Sequence, residues 1–164
     1  MVTVNVIGSD IGKEQLSKLQ EMMQAHPTLV SLCGIADDAT EANLSGLKMD
    51  ADDAVVLADE LHAKGALVSV NILNNRIGTE QAQSLATILK EHATLMSLCG
   101  NNGNETELDL SGKNIGSDGA ILLAPEIVAN GALTSLNISA NDIPSKHMDP
   151  IRKICASKKI DLQA

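Results

Sequence analysis

Residues Leu67-Val68-Ser69-Val70-Asn71-Ile72-Leu73-Asn74-Asn75-Arg76-Ile77 return 66 positions later as Leu133-Thr134-Ser135-Leu136-Asn137-Ile138-Ser139-Ala140-Asn141-Asp142-Ile143. Both fit an apolar-x-x-apolar-x-apolar-x-x-N-x-I pattern. This predicts a short strand running into a turn, because alternate side chains of an extended chain share one face. The same shift carries Leu29–Gly34 onto Leu95–Gly100 and Ala42–Gly46 onto Leu108–Gly112. Repetition at this scale points to stacked units, each too thin to bury its own apolar face.

Outward from that stretch, strand anchors fall at Val4, Ala42, Val70, Leu108 and Leu136, spaced by 38, 28, 38 and 28 residues. Two positions past each anchor stand Val6, Leu44, Ile72, Leu110 and Ile138. Seven past it stand Ile11, Met49, Ile77, Ile115 and Ile143. These positions predict apolar ladders facing inward. The period then changes to about 3.6, the helical value, at Leu16, Leu19 and Met23 and at the corresponding positions of the later units, ending with Met148, Ile151 and Cys155. Such spacing sets one apolar stripe on each helix, to be packed against the ladders.

Gly12, Gly78 and Gly116, with Asp50 and Pro144 in the other two units, mark expected helix starts. Gly65 and Gly131 mark expected helix stops. The 38-residue units contain an extra piece, residues 32–41 and 98–107, read either as an abbreviated strand without a helix or as a projecting loop. The strand reading is preferred, since Leu29 and Leu32 stand in the relation of Leu67 and Val70. Ile160-Asp161-Leu162 reads as one more strand cut short. The expectation is a single domain over residues 1–164, whole or a fragment of a longer array. Its exposed end layers invite self-association.

These repeats resemble the leucine-rich-repeat superfamily, in particular its ribonuclease-inhibitor-like class of 28-residue strand-helix units. Residues 131–141 carry the most specific part of the likeness. The resemblance implies an α/β solenoid, a partial horseshoe with parallel strands on the concave face and helices on the convex face. It also implies a protein-binding role, since members of that class mostly bind other proteins. The family's turn asparagine, which satisfies backbone groups, matches Asn75 and Asn141; Ser9, Leu47 and Lys113 hold that slot elsewhere. Looser turns are expected at Leu47 and Lys113, because a leucine supplies no hydrogen-bonding partner.

Between the ladder positions, outward side chains are expected at Asn5, Ile7, Asn43, Ser45, Asn71, Leu73, Asp109, Ser111, Asn137 and Ser139, with Ser69, Glu107 and Ser135 beside them. This candidate protein-binding face is polar and mildly acidic, with an apolar spot at Ile7 and Leu73. It lacks the Trp, Tyr and Arg that usually anchor interfaces, so its partner is expected to supply them. The partner is an unknown protein, favoured to be basic by the formal net charge of −9.

That charge argues against nucleic-acid and membrane-surface binding. The chain contains no Phe, Tyr or Trp, which suits thin aliphatic layers better than one large core. Its three cysteines, Cys33, Cys99 and Cys155, are read as buried small hydrophobes rather than a disulfide framework. With no secretory-type leader or apolar membrane span, the expected location is cytoplasmic.

No cofactor or metal is expected. His26 and His92 occupy matching positions before Pro27-Thr28-Leu29 and Ala93-Thr94-Leu95, which suggests a helix-end role. Asp37-Asp38 and Asp50, Asp52-Asp53 lack the glycine-centred loop of a calcium site, and Asp52 and Asp53 suit a helix N-terminus. Gly112-Lys113 lacks a phosphate loop, and no serine sits in a Gly-x-Ser-x-Gly turn. The expected function is thus non-enzymatic protein binding or scaffolding. The alternatives are a regulator or activator of a small GTPase, for which Arg76 or Arg152 would have to supply any arginine, and a structural self-associating repeat fragment.

Overall fold

The computed structural model describes residues 1–164. Five helices, α1 (Lys13–Ala25), α2 (Ala51–Ala63), α3 (Thr79–Glu91), α4 (Gly116–Ala129) and α5 (Ser145–Lys158), alternate with short strands. The strands are β1 (Val2–Thr3), β2 (Leu29–Ser31), β3 (Glu41–Asn43), β4 (Ser69–Asn71), β5 (Glu107–Asp109), β6 (Ser135–Asn137) and β7 (Asp161–Gln163). Every paired strand is parallel. Each helix packs on the next in chain order.

Within the pairs the anchors stand in register, Ala42 beside Val70 and Leu108 beside Leu136, with Leu136 also beside Leu162. The strands nevertheless form three separate sheets, β1-β2, β3-β4 and β5-β6-β7. Val70 and Leu108 are therefore not immediate neighbours. The extra pieces lie at the breaks. Residues 29–31 form β2, while Ser97 and Cys99 make only isolated bridges to β4. Within the pieces themselves only Cys33 and Cys99 make isolated bridges, and the remainder is loop that returns the chain to β3 or β5, so the preferred reading of each piece as a strand reduces to a single bridging residue.

The core does not break where the sheets do. One cluster of 37 buried apolar residues runs from Ile7 to Ile160, so side-chain packing holds the layers together across both gaps. The helical stripes are buried at Ala54, Leu57 and Leu61, at Ala82, Leu85 and Leu89, and at Ala120, Leu123 and Ile127. Val4 departs from expectation, remaining 43% exposed although its counterpart Val70 is fully covered. Ala42 and Leu108 are only half-buried, each on the strand just after a break.

Local signals set the helix ends. Gly12, Gly78, Asp50 and Pro144 precede their helices as N-caps, and α4 begins at Gly116. Asp50 accepts from the backbone N–H groups of Asp52 and Asp53, and Asp53 returns the bond in a capping box. Gly65 and Gly131 do not stop helices in a left-handed turn. Lys64 and Asn130 are the C-caps, both with negative φ.

Candidate protein-binding face

The repeated Asn and Asp at the position after each anchor have a structural task that periodicity alone concealed. The Oδ1 of Asn5 accepts from the Ile7 N–H at 3.0 Å, that of Asn43 from Ser45 at 3.1 Å, and that of Asn71 from Leu73 at 3.1 Å. Asp109 accepts from the Ser111 N–H at 2.9 Å and Asn137 from Ser139 at 3.1 Å. Each side chain thus closes an Asx turn that ends its strand. The amide Nδ2 of the asparagines remains for other contacts. The Ser111 N–H, helped by the nearby Lys113 charge, holds the exposed Asp109 carboxyl below its usual range, so this position carries a firm negative charge.

These turns correct the expected apolar spot. Ile7 and Leu73 are buried, because alternation ends with the strand and the turn swings the next-but-one residue inward. Leu73 packs so closely on α4 that a Cβ built at Gly119 would lie 2.9 Å from its Cδ2. Ser69, also expected outward, is buried with its hydroxyl donating to the Asn101 carbonyl at 2.9 Å, while the rest of the expected face stays accessible. Asn5, Asn43, Glu107 and Asp109 are exposed, and Ser45, Asn71, Ser111, Asn137 and Ser139 are half-buried. A depression of about 510 Å³ brings Asn43, Ser45, Asn71 and Asp109 together over the gap between β4 and β5, with Lys113 at its edge. Asn5 and Asn137 lie outside it.

Two buried glutamates, not foreseen from the sequence, fill the sheet breaks. In the intact ladders the later strand donates back at its start, as from Val68 to the Thr40 carbonyl, and the earlier strand donates forward at its end, as from the Leu44 N–H to the Asn71 carbonyl. At the first break the Leu32 N–H has no following strand and donates instead to Glu60 Oε1 of α2, at 2.5 Å. Cys33 N–H and Ser31 Oγ complete the set at 3.1 and 2.7 Å. Glu126 of α4 does the same 66 residues on. It accepts from Leu98 N–H at 2.6 Å, Cys99 N–H at 3.2 Å, Ser97 Oγ at 2.8 Å and Asn101 Nδ2 at 2.6 Å. Burial pushes the Glu126 carboxyl above its ordinary range, outweighing these four donors. The sequence did carry a signal: Glu60 and Glu126 are polar residues repeated on the edge of the apolar helix stripe.

The expected looseness at Leu47 and Lys113 is also corrected, since one asparagine serves two turns. Asn75 Nδ2 donates to the Ile72 carbonyl of its own turn and to Leu44 of the preceding one, both at 2.9 Å, while its Oδ1 accepts from the Met49 N–H at 3.0 Å. Asn141 repeats the arrangement with Ile138, Leu110 and Ile115. The first turn, with Ser9 in the slot, is tied by Asp53 Oδ2 accepting from the Gly8 N–H at 2.9 Å.

Reactive side chains are committed to structure. His26 and His92 cap helix ends, their Nδ1 atoms accepting from the Leu29 and Leu95 N–H groups. Cys33, Cys99 and Cys155 are buried free thiols, and burial raises the pKa of each. Lys64, almost wholly enclosed, donates to the Val30 carbonyl at 2.9 Å and pairs with Asp37 at 2.6 Å. No group of three His, Cys, Asp or Glu side chains is placed to hold a metal ion. No helix is long and apolar enough to cross a membrane.

No protein-family model matches the chain, and no curated protein matches it either.

Proposed function

We propose that the chain is a leucine-rich-repeat solenoid of the ribonuclease-inhibitor-like class, working in the cytoplasm as a non-catalytic protein-binding module through its strand face. One observation carries the reading: the depression over the second sheet break. It gathers side chains from three strands, offering amide donors at Asn43 and Asn71 and a negative charge at Asp109. The Asx turns hold these groups in place before any partner arrives, which lowers the ordering cost of binding. A partner bringing Lys or Arg to Asp109 and Glu107, with aromatic side chains of its own, fits the face in charge and polarity.

The test is affinity capture from the source cell, followed by direct titration of the captured partner. The wild-type chain is compared with Glu107→Lys combined with Asp109→Asn, because asparagine keeps the Asx turn while removing the charge. A partner that loses at least about tenfold in affinity, a change worth 1.4 kcal/mol, supports the strand face. A partner bound equally well by both chains refutes it.

A further inference from the structure

A second depression, of about 700 Å³, lies beside the first, sharing Asn74 and Asn114 with it, on the rim where the strand-end turns enter the helices. No apolar residue lines it. The series six residues past each anchor crosses this rim: Asp10, Lys48, Arg76, Asn114 and Asp142. Basic side chains therefore occupy the middle of the rim and acidic ones its two ends, in a chain of net charge −9.

Lys48 and Arg76 follow the paired strands β3 and β4, and the Arg76 N–H donates to the carbonyl of Met49 at 2.9 Å. Two like charges are thus held on adjacent turns, an arrangement that repels unless an anion lies between them. No anionic side chain of the protein does so. The three ion pairs are Lys18–Glu14, Lys64–Asp37 and Arg152–Asp149. Asp50, on the wall of the depression, already turns its carboxylate to the N–H groups of Asp52 and Asp53. The floor is rigid, because Asn75 is tied to Leu44, Ile72 and Met49. The N-termini of α2 and α3 are already met by carboxylates, Asp50 on α2 and Asp118 accepting from the Gly78 N–H at 3.0 Å on α3, so the site rests on the two cations alone.

We propose that this rim depression is a binding site for an acidic peptide segment, with a partner carboxylate bridging Lys48 and Arg76. Asn74 and Asn114 lie beside the two cations as further donors. Asp10, at the other side, disfavours a multiply charged anion such as phosphate and suits a peptide whose acidic residue is flanked by a donor. The site adjoins the strand-face depression, with which it shares Asn74 and Asn114, and differs from it in charge, since the strand face carries Asp109 and Glu107.

The experiment is an NMR titration of ¹⁵N-labelled full chain at fixed ionic strength with acetyl-Gly-Glu-Gln-Gly-amide. Its Gln-Gln analogue and inorganic phosphate serve as the other arms. Expected are saturable shifts at the amides of Gly46, Lys48, Asn75 and Arg76 with the acidic peptide. They should weaken at least about tenfold in Lys48→Gln/Arg76→Gln, on the scale of losing charge-assisted hydrogen bonds. Both substituted side chains are exposed, so an unchanged thermal melt establishes that the variant is folded. Three results overturn the proposal: no saturable rim shifts, equal shifts from the Gln-Gln peptide, or phosphate binding as tightly as the peptide. None of these outcomes bears on the strand face, whose own test uses Glu107 and Asp109.

Discussion

Glu126→Ala removes the acceptor that ends the second sheet. Four donors lose their partner: the N–H groups of Leu98 and Cys99, the Ser97 hydroxyl and the Asn101 amide. Each buried donor left unpaired costs about 1–3 kcal/mol, reduced where water enters the space vacated by the side chain. A net loss of about 3–5 kcal/mol follows, a large share of the roughly 5–15 kcal/mol that holds a domain folded. At this chain length that lowers the midpoint by roughly 6–20 °C. Glu126→Gln keeps one acceptor but aims an amide at donors, and should lose about 1–2 kcal/mol.

The pH dependence separates the two substitutions from a simple packing defect. Because burial raises the native Glu126 pKa above its unfolded value, the folded chain binds this proton more tightly. The resulting stability is fully present below the unfolded carboxylate pKa and is lost as pH rises through the native one. Urea unfolding of wild type against Glu126→Gln should therefore show the wild-type advantage growing as pH falls from neutrality towards the ordinary carboxylate range. Hydrogen exchange at Leu98 and Cys99 should accelerate in Glu126→Ala before global unfolding does. A loss below about 0.5 kcal/mol in Glu126→Ala, typical of an unconstrained surface change, would refute the reasoning. So would an advantage over Glu126→Gln that does not vary with pH.

Asn141→Ala should cost about 2–4 kcal/mol in urea unfolding, since it strips partners from Leu110, Ile138 and Ile115 at once. Ala140 is held at φ 57°, a conformation costing a non-glycine residue about 1–2 kcal/mol. Ala140→Gly should therefore raise the thermal midpoint by a few degrees, on the scale of about 1 kcal/mol, despite glycine's entropy in the unfolded chain. Gly8→Ala should be strongly destabilising by the same assay, because φ is 71° and a Cβ there would lie 1.9 Å from the Leu47 carbonyl oxygen. Cys33 and Cys99 should resist a thiol-disulfide reagent at pH 8 until the chain unfolds, as buried thiols with raised pKa values form little thiolate.

How far the site could be read in advance is shown by three residues. Asn71 was placed on the accessible side of its strand by alternation, and it stays partly accessible. Leu73, two positions on, obeyed the same arithmetic and was misplaced, because alternation holds only while the chain stays extended and the Asn71 side chain ends the strand. Leu47 was expected to leave its turn untied. The tie comes from Asn75, 28 positions later in the chain and one layer away in space.

What the linear order of residues determined is the set of units: roughly where each helix begins, most of the side chains that turn inward, and the 66-residue repeat. Those are local properties, set by periods of two and about 3.6 and by residues that favour caps and turns. Only the tertiary structure decided where the sheet breaks and what replaces the missing strand. A buried N–H accepts any well-placed oxygen, so Glu60 and Glu126 could take a strand's place once the layers were stacked. The depression over the second break, like the pair of cations on the rim, exists only between layers.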